Sequence, residues 1–103
     1  MKDWEWFGEA GHACCAHDCL FHMHTHVNGY CVSTVGDYRV RVKNRPAEEP
    51  EDVGFNRLYE TMVFQIEKDG KVGLQELEVS PYNSSIAASL GHIDMCYKYE
   101  LML

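Results

Sequence analysis

The sequence predicts an α+β fold, in which a small antiparallel sheet built from hairpins precedes one C-terminal helix. Two tight-turn signals carry this prediction, because Asn28-Gly29 and Asp69-Gly70 each lie between segments rich in strand-forming residues. The stretch after Pro81 adds a third observation, since helix-capping residues are followed there by an apolar periodicity of about 3.6 residues. At 103 residues and 46% hydrophobic composition, the chain is expected to form one domain, residues 1–103.

The N-terminal part is expected to form an edge strand and then a hairpin. Residues 2–7 alternate around two tryptophans and predict a short edge strand. Phe21 to Val27 alternates strictly, and Tyr30 to Val35 is the return strand, with extended chain continuing through Tyr38 to Val42. A two-residue turn would fix the cross-strand pairs as Val27–Tyr30, His26–Cys31 and His24–Ser33.

The C-terminal part is expected to form an acidic loop, a second hairpin and the helix. Residues 44–56 are the loop, and strands are expected over 58–67 and 72–79. Asn83 or Ser84 can cap a helix that runs to about Tyr99. Its sequence carries an apolar stripe of the kind that faces a core, formed by Ile86, Leu90, Ile93, Tyr97 and Leu101. His92 and Cys96 lie off that stripe.

Cysteine and histidine are concentrated at two places in the chain. The chain has five cysteines and six histidines. All of them except His92 and Cys96 fall between His12 and Cys31. The number of cysteines is odd, and the acidic N-terminus lacks the apolar stretch of a signal peptide. These features favour free thiols in the cytoplasm of a host cell over a disulfide framework.

Thiolates and imidazoles in this arrangement predict a zinc site that cross-links the two ends of the chain. The C-x3-C pair Cys15 and Cys19 places two thiolates on one turn, and His92 and Cys96 lie on adjacent turns of the helix. Together they offer the four ligands of a closed structural Zn²⁺ site. His12 or His22 can replace one of the four, whereas Cys14 is expected to be a small buried hydrophobe.

The histidines of the first hairpin leave two interpretations open. His22, His24 and His26 fall on one side of their strand. They form either a second metal site or catalytic imidazole cluster, or the solvent face of a two-stranded ribbon. An alternative function follows from the first of these, a small zinc-dependent hydrolase using His22, His24 and Glu60, although the sequence has no recognisable hydrolase motif.

The net charge of −7 argues against direct binding to nucleic acid phosphates. It fits either a soluble protein or one that docks on a basic surface of a partner. The run Glu48, Glu49, Glu51 and Asp52 is typical of a solvated loop and is also a candidate docking patch. No apolar run approaches the ~20 residues that cross a membrane.

Several blocks of the sequence are similar to a family of small phage and prophage proteins. Nearly the whole chain takes part, and the blocks are Trp4-Glu5-Trp6-Phe7-Gly8, Gly11-His12, Cys15-x3-Cys19-x-Phe21-His22, Val32-Ser33-Thr34-Val35-Gly36-Asp37-Tyr38, Tyr59-Glu60-Thr61-Met62-Val63-Phe64, Tyr82-Asn83 and Gly91-His92-x2-Met95-Cys96.

The resemblance implies a phage origin and supports the ligand set Cys15, Cys19, His92 and Cys96 over Cys14 and Cys31. This chain has a shorter middle than the longer relatives and lacks their extra cysteine-rich stretch. In size and charge it is also similar to anti-CRISPR proteins. That similarity implies a non-enzymatic inhibitor that covers the basic nucleic-acid-binding surface of a host protein, such as a type II CRISPR effector nuclease.

Overall fold

The chain forms an antiparallel sheet with one helix packed on it, which confirms the predicted α+β class. The computed structural model describes residues 3–12, 18–53 and 57–102. In these ranges the strands are β1 (Glu5–Phe7), β2 (Cys19–Val27), β3 (Tyr30–Tyr38), β4 (Arg41–Val42), β5 (Arg45–Pro46), β6 (Tyr59–Ile66) and β7 (Val72–Tyr82), and the helix is α1 (Ser85–Glu100). The main sheet has the order β1-β2-β3-β6-β7, and β4 and β5 form a separate small hairpin.

The first hairpin has the predicted register. Asn28 and Gly29 both have positive φ, 53° and 82°, as a two-residue turn that matches the twist of the strands requires. The pairs Val27–Tyr30, His26–Cys31 and His24–Ser33 follow from this turn and confirm the prediction. The sheet then continues outward on both sides, because β1 pairs with β2 and β6 pairs with β3.

The two faces of the sheet differ in what covers them. The face under α1, here called the helix face, carries Thr25, Val27, Val32, Thr34, Thr61 and Val63. The opposite face, here called the polar face, carries His24, His26, Cys31, Ser33 and Glu60. Phe7 and residues 9–12 lie against the polar face, so most of its polar side chains are removed from water, and His26 is partly exposed.

The helix is capped as predicted but presents the opposite side to the sheet. Ser84 is the N-cap, and its side chain accepts a hydrogen bond from the backbone N–H of Ala87. The prediction that the apolar stripe faces the core is wrong. The buried residues of α1 are Ala88, His92, Met95, Cys96 and Tyr99, and the stripe points to solvent.

Two buried hydroxyl groups of the sheet contact the buried side of α1. Thr25 and Thr34 are fully buried on the helix face, and a buried hydroxyl without a partner costs free energy. His92 satisfies both, because its Nε2 lies 2.8 Å from Thr25 Oγ1 and its Nδ1 lies 2.7 Å from Thr34 Oγ1. Three valines of the sheet, with Met95, Cys96 and Tyr99 of the helix, then complete an apolar cluster beside this contact.

The remaining connections are short or acidic. The predicted loop over 44–56 contains β5, a bridge between Glu51 and Tyr38, and the buried side chain of Val53. The carboxylates of its acidic run are exposed, as expected. Among the described residues, no helix is both long enough and apolar enough to cross a membrane.

Candidate metal centre

Three ligand-type side chains meet on the polar face at the first hairpin. His24 and His26 lie two residues apart on β2, so the alternation of the strand places both on this face. Cys31 is the direct cross-strand partner of His26 on β3. One ligand atom from each of the three lies within 4.8 Å of the others, and this is the one such group in ranges 3–12, 18–53 and 57–102. The described chain therefore contains a cluster that can hold a metal ion.

The spacing of this cluster is close to what a tetrahedral ion requires. Zinc bound at about 2.1 Å from nitrogen and about 2.3 Å from sulfur separates its ligand atoms by roughly 3.3 to 3.7 Å. The Nε2 atoms of His24 and His26 are 3.0 Å apart. For all three atoms to contact one ion, the two nitrogens would have to separate slightly and separations of up to 4.8 Å would have to shorten by about 1 Å.

The edge strand holds the two imidazole rings in place. Phe7 on β1 is the register partner of His24, and its ring stacks on the imidazole of His24 at a centroid distance of 4.6 Å. The same phenyl ring lies 4.3 Å from the ring of His26. Phe7 thus restricts both imidazoles, which lowers the entropy that they would lose on binding an ion.

Burial lowers the pKa of the two candidate imidazole ligands and raises the pKa of the candidate thiol ligand. Burial lowers the pKa of His24, and the neighbouring His26 lowers it further. Burial also lowers the pKa of His26, against the opposing effect of the carboxylates of Glu5 and Glu9. Both imidazoles are consequently neutral at pH 7, which is the form that binds metal. Burial raises the pKa of the Cys31 thiol to about 11, so an ion must displace a proton from it.

A second set of polar groups lies next to this cluster. The Nδ1 atom of His12 is 2.8 Å from Ser33 Oγ, and its Nε2 atom is 3.4 Å from Glu60 Oε1. Ser33 and Glu60 are almost completely buried. His12 Nε2, Glu60 Oε1 and His24 Nδ1 are buried atoms without a hydrogen bond of good geometry, although the backbone of Glu9 lies close enough to His24 to raise its pKa slightly. The polar face therefore concentrates unsatisfied donors and acceptors around the cluster.

The backbone of Gly11 passes close to the side chains of Ser33 and His24 on the polar face. The backbone N–H of Gly11 donates to Ser33 Oγ at 3.1 Å. A Cβ atom at Gly11 would lie 2.7 Å from Ser33 Oγ and 2.8 Å from Cδ2 of His24. Glycine is thus required where the chain passes between the two side chains.

The four ligands predicted from sequence are not all brought together in the described residues. Cys15 lies outside the described residues, as do Cys14 and His17. Cys19 packs with Val35 and Val53, whereas Cys96 packs with residues around Met95 on the helix face. The four-ligand site stays a prediction.

His92 and Cys96 have structural roles in the core. Both ring nitrogens of His92 are within hydrogen-bond distance of threonine hydroxyls, and burial lowers its pKa to about 4. Burial raises the pKa of Cys96 to about 12, although Thr25 hydrogen-bonds to the thiol. His92 and Cys96 are therefore core residues whose polar atoms have hydrogen-bond partners.

The other residues named from sequence have separate environments. His22 is exposed on β2 and takes no part in the cluster. His24 and Glu60 share the polar face, but Glu60 faces His12. The interpretation of the histidine face as a solvent face is wrong for His24, which is buried, because Phe7 and residues 9–12 cover it.

Cys31 is the candidate ligand that sequence reasoning missed. The predicted register already placed it opposite His26, and only the strand alternation was needed to add His24 to the pair. The spacing H-x-H-x4-C across a two-residue turn was therefore the available signal.

No protein-family model matches the chain, and no curated protein or solved structure shows a significant similarity to it.

Proposed function

We propose that this protein binds one zinc ion through His24, His26 and Cys31 and uses it to stabilise the fold. The observation that carries the proposal is the convergence of these three ligand atoms within 4.8 Å on the buried face of one hairpin. Two imidazoles and a thiolate form a donor set that suits zinc better than magnesium or calcium, which prefer oxygen ligands.

A structural role fits the burial of the site better than a catalytic one. His24 and Cys31 are buried, and Glu60, a carboxylate on the same face, is 1% exposed. Three protein ligands leave the fourth position of a zinc ion open, but hydrolysis also requires that a substrate reach this position. An ion at this place would instead link β2 to β3 beneath the stacked ring of Phe7.

The affinity for zinc tests this proposal with matched cysteine variants. Zinc binding is measured by competition with a chelator for the wild type, His26→Ala, Cys31→Ser and Cys96→Ser. Cys96 is the control, because it is equally buried but lies on the helix face. Cys31→Ser and His26→Ala are expected to weaken binding by at least about a hundredfold, since each removes a direct ligand. Wild-type affinity in Cys31→Ser would overturn the proposal.

A second candidate function is inhibition of a host nucleic-acid-binding protein, and one observation favours it. The carboxylate-bearing residues Glu48, Glu49, Glu51 and Asp52 are all exposed on the connection between β5 and β6. With a net charge of −7 and the resemblance to phage proteins, this acidic surface supports docking on a basic groove such as that of a type II CRISPR effector nuclease.

Cleavage of target DNA by such a guide-loaded nuclease provides the test. Adding the wild-type protein is expected to inhibit cleavage, and inhibition should weaken at high salt. Replacing the four acids with Gln or Asn should abolish inhibition, whereas Glu67→Gln/Asp69→Asn, at the exposed β6–β7 turn, should not. Unchanged cleavage at any concentration of the wild type would contradict this second proposal and leave the zinc site unaffected.

A further inference from the structure

The outward side of α1 is an apolar surface, here called the helix stripe. It consists of the residues that the sequence marks as a core face, Ile86, Leu90, Ile93, Tyr97 and Leu101. Ile86 is 73% exposed, Leu90 63% and Leu101 79%, and Ile93 is partly buried. Charged side chains, Asp94 and Lys98, border this stripe and do not interrupt it. A continuous apolar stripe of this kind is unusual on a monomeric protein.

Two tryptophans of the edge strand extend the helix stripe. The ring of Trp4 packs edge-on against Tyr97 at 4.8 Å, and its Nε1–H donates to a carboxylate oxygen of Glu100. Trp6 lies beside Trp4 and is about half exposed. Tryptophan and tyrosine are the residue types that contribute most to protein–protein interfaces.

The order of residues along the helix stripe is nearly symmetric about Ile93. Leu90 and Tyr97 lie three residues before and four residues after it, and Ile86 and Leu101 lie seven before and eight after. In an antiparallel pair of helices with a two-fold axis at Ile93, Leu90 of one copy meets Tyr97 of the other copy. Ile86 meets Leu101 in the same way, so the stripe complements itself. Self-complementarity is what a two-fold interface requires.

The exposed area is close to what a stable dimer needs. The exposed fractions of Trp6, Ile86, Leu90, Tyr97 and Leu101 correspond to about 600 Å² per copy, if a fully exposed large side chain presents roughly 200 Å². A standard stable interface buries about 800 Å² per partner. Ile93, Trp4 and the bordering side chains supply the difference.

We propose that the helix stripe is the interface of a homodimer in which two copies of α1 pack antiparallel across Ile93. The successive spacings of four, three, four and four residues are those of a helix face that packs on another helix, in which side chains of one helix fill gaps in the other. Each copy carries a net charge of −7, so association is expected to strengthen with added salt. This salt dependence is opposite to the one expected for docking of the acidic run on a basic partner, which added salt should weaken.

Introducing a negative or a positive charge at position 93 tests both the dimer and its symmetry axis. Molar mass is measured by analytical ultracentrifugation over a range of protein concentrations. The wild type is expected to be a dimer at tens of micromolar. Ile93→Glu and Ile93→Lys should each be monomeric, because two like charges would meet at the axis. Their equimolar mixture should recover the dimer, since opposite charges then meet there.

Two further variants keep the result interpretable. Leu90→Glu changes a more exposed stripe residue and should also give a monomer, and Leu74→Glu changes a residue that is 97% exposed on β7 and should leave the dimer intact. Circular dichroism confirms that each variant folds. A wild type that is monomeric throughout would overturn the proposal, and so would a dimer that persists in Leu90→Glu. A wild type that is monomeric alone but binds another protein through this stripe would likewise exclude the homodimer. None of these outcomes depends on zinc.

Discussion

The Nδ1 atom of His92 lies 2.7 Å from the hydroxyl of Thr34, in a contact that joins the helix to the centre of the sheet. The second ring nitrogen is held in the same way by Thr25. A neutral imidazole has one donor and one acceptor, and hydroxyl groups can supply the complement of each. The helix is therefore fixed to the sheet by a fully buried histidine, and burial favours its neutral form by lowering its pKa.

Stability should consequently fall in mild acid. Burial lowers the pKa of His92 from 6.5 to about 4 in the folded protein, so the unfolded chain binds a proton at a higher pH. The stabilising contribution is complete above pH 6.5, is lost as the pH falls towards 4, and does not change further below that. The loss is about 3 kcal/mol in the free energy of unfolding.

Urea denaturation between pH 7.5 and pH 4 measures this loss. His92→Gln removes the titrating group, and its free energy of unfolding should depend less on pH than that of the wild type. Equal pH profiles for the two proteins would contradict the assignment of His92 as a neutral core residue.

Gly11→Ala should destabilise the protein and weaken zinc binding. The added Cβ would collide with Ser33 and His24, so residues 9–12 would have to move away from the polar face. Overpacking of this kind costs about 1 to 3 kcal/mol. Gly8→Ala is the matched control, because nothing lies within 4 Å of the Cβ position there. Thermal unfolding and zinc affinity would both show the difference, and similar losses in the two variants would argue against this close approach.

Removal of His12 should be costly unless Glu60 is changed with it. The side chain of Glu60 is buried, and His12 Nε2 lies 3.4 Å from its Oε1 atom. Leaving that carboxyl buried without its polar neighbour should lower the free energy of unfolding by about 1 to 3 kcal/mol in His12→Ala. The double variant His12→Ala/Glu60→Leu should lose less than the sum of the single variants. Strict additivity in chemical denaturation would show that the two residues do not interact.

Zinc should stabilise the wild type by mass action. At a free zinc concentration a hundredfold above the dissociation constant, the free energy of unfolding should rise by about 2.7 kcal/mol. Thermal unfolding with zinc and with a chelator measures this rise. Cys31→Ser should show no such response, while Cys96→Ser should respond as the wild type does. A zinc response retained in Cys31→Ser would place the ion elsewhere.

The local structure could be predicted from sequence where a short-range signal decides it. Asn28 and Gly29 adopt positive φ in a two-residue turn, and this alone fixes the register of β2 against β3. Ser84 caps the helix for an equally local reason, since its side chain accepts a hydrogen bond from the first turn. Both features depend on neighbouring residues and were predicted.

The packing of these elements could not be predicted in the same way. Hydrophobic periodicity indicated the stripe around Ile93 as the buried side of α1, whereas the side that is buried carries His92, which contacts two threonine hydroxyls of the sheet. The burial of His24 depends likewise on β1 and residues 9–12, which reach the polar face from elsewhere in the chain. Partners that are distant in sequence leave no periodic signal.

X-ray absorption at the zinc edge of the zinc-loaded wild-type protein tests the central claim most directly, because it counts the atoms that contact the ion. Coordination by His24, His26 and Cys31 predicts one sulfur at about 2.3 Å and two imidazole nitrogens at about 2.0 to 2.1 Å. Three sulfurs and one imidazole, the set expected for Cys15, Cys19, His92 and Cys96, would contradict it.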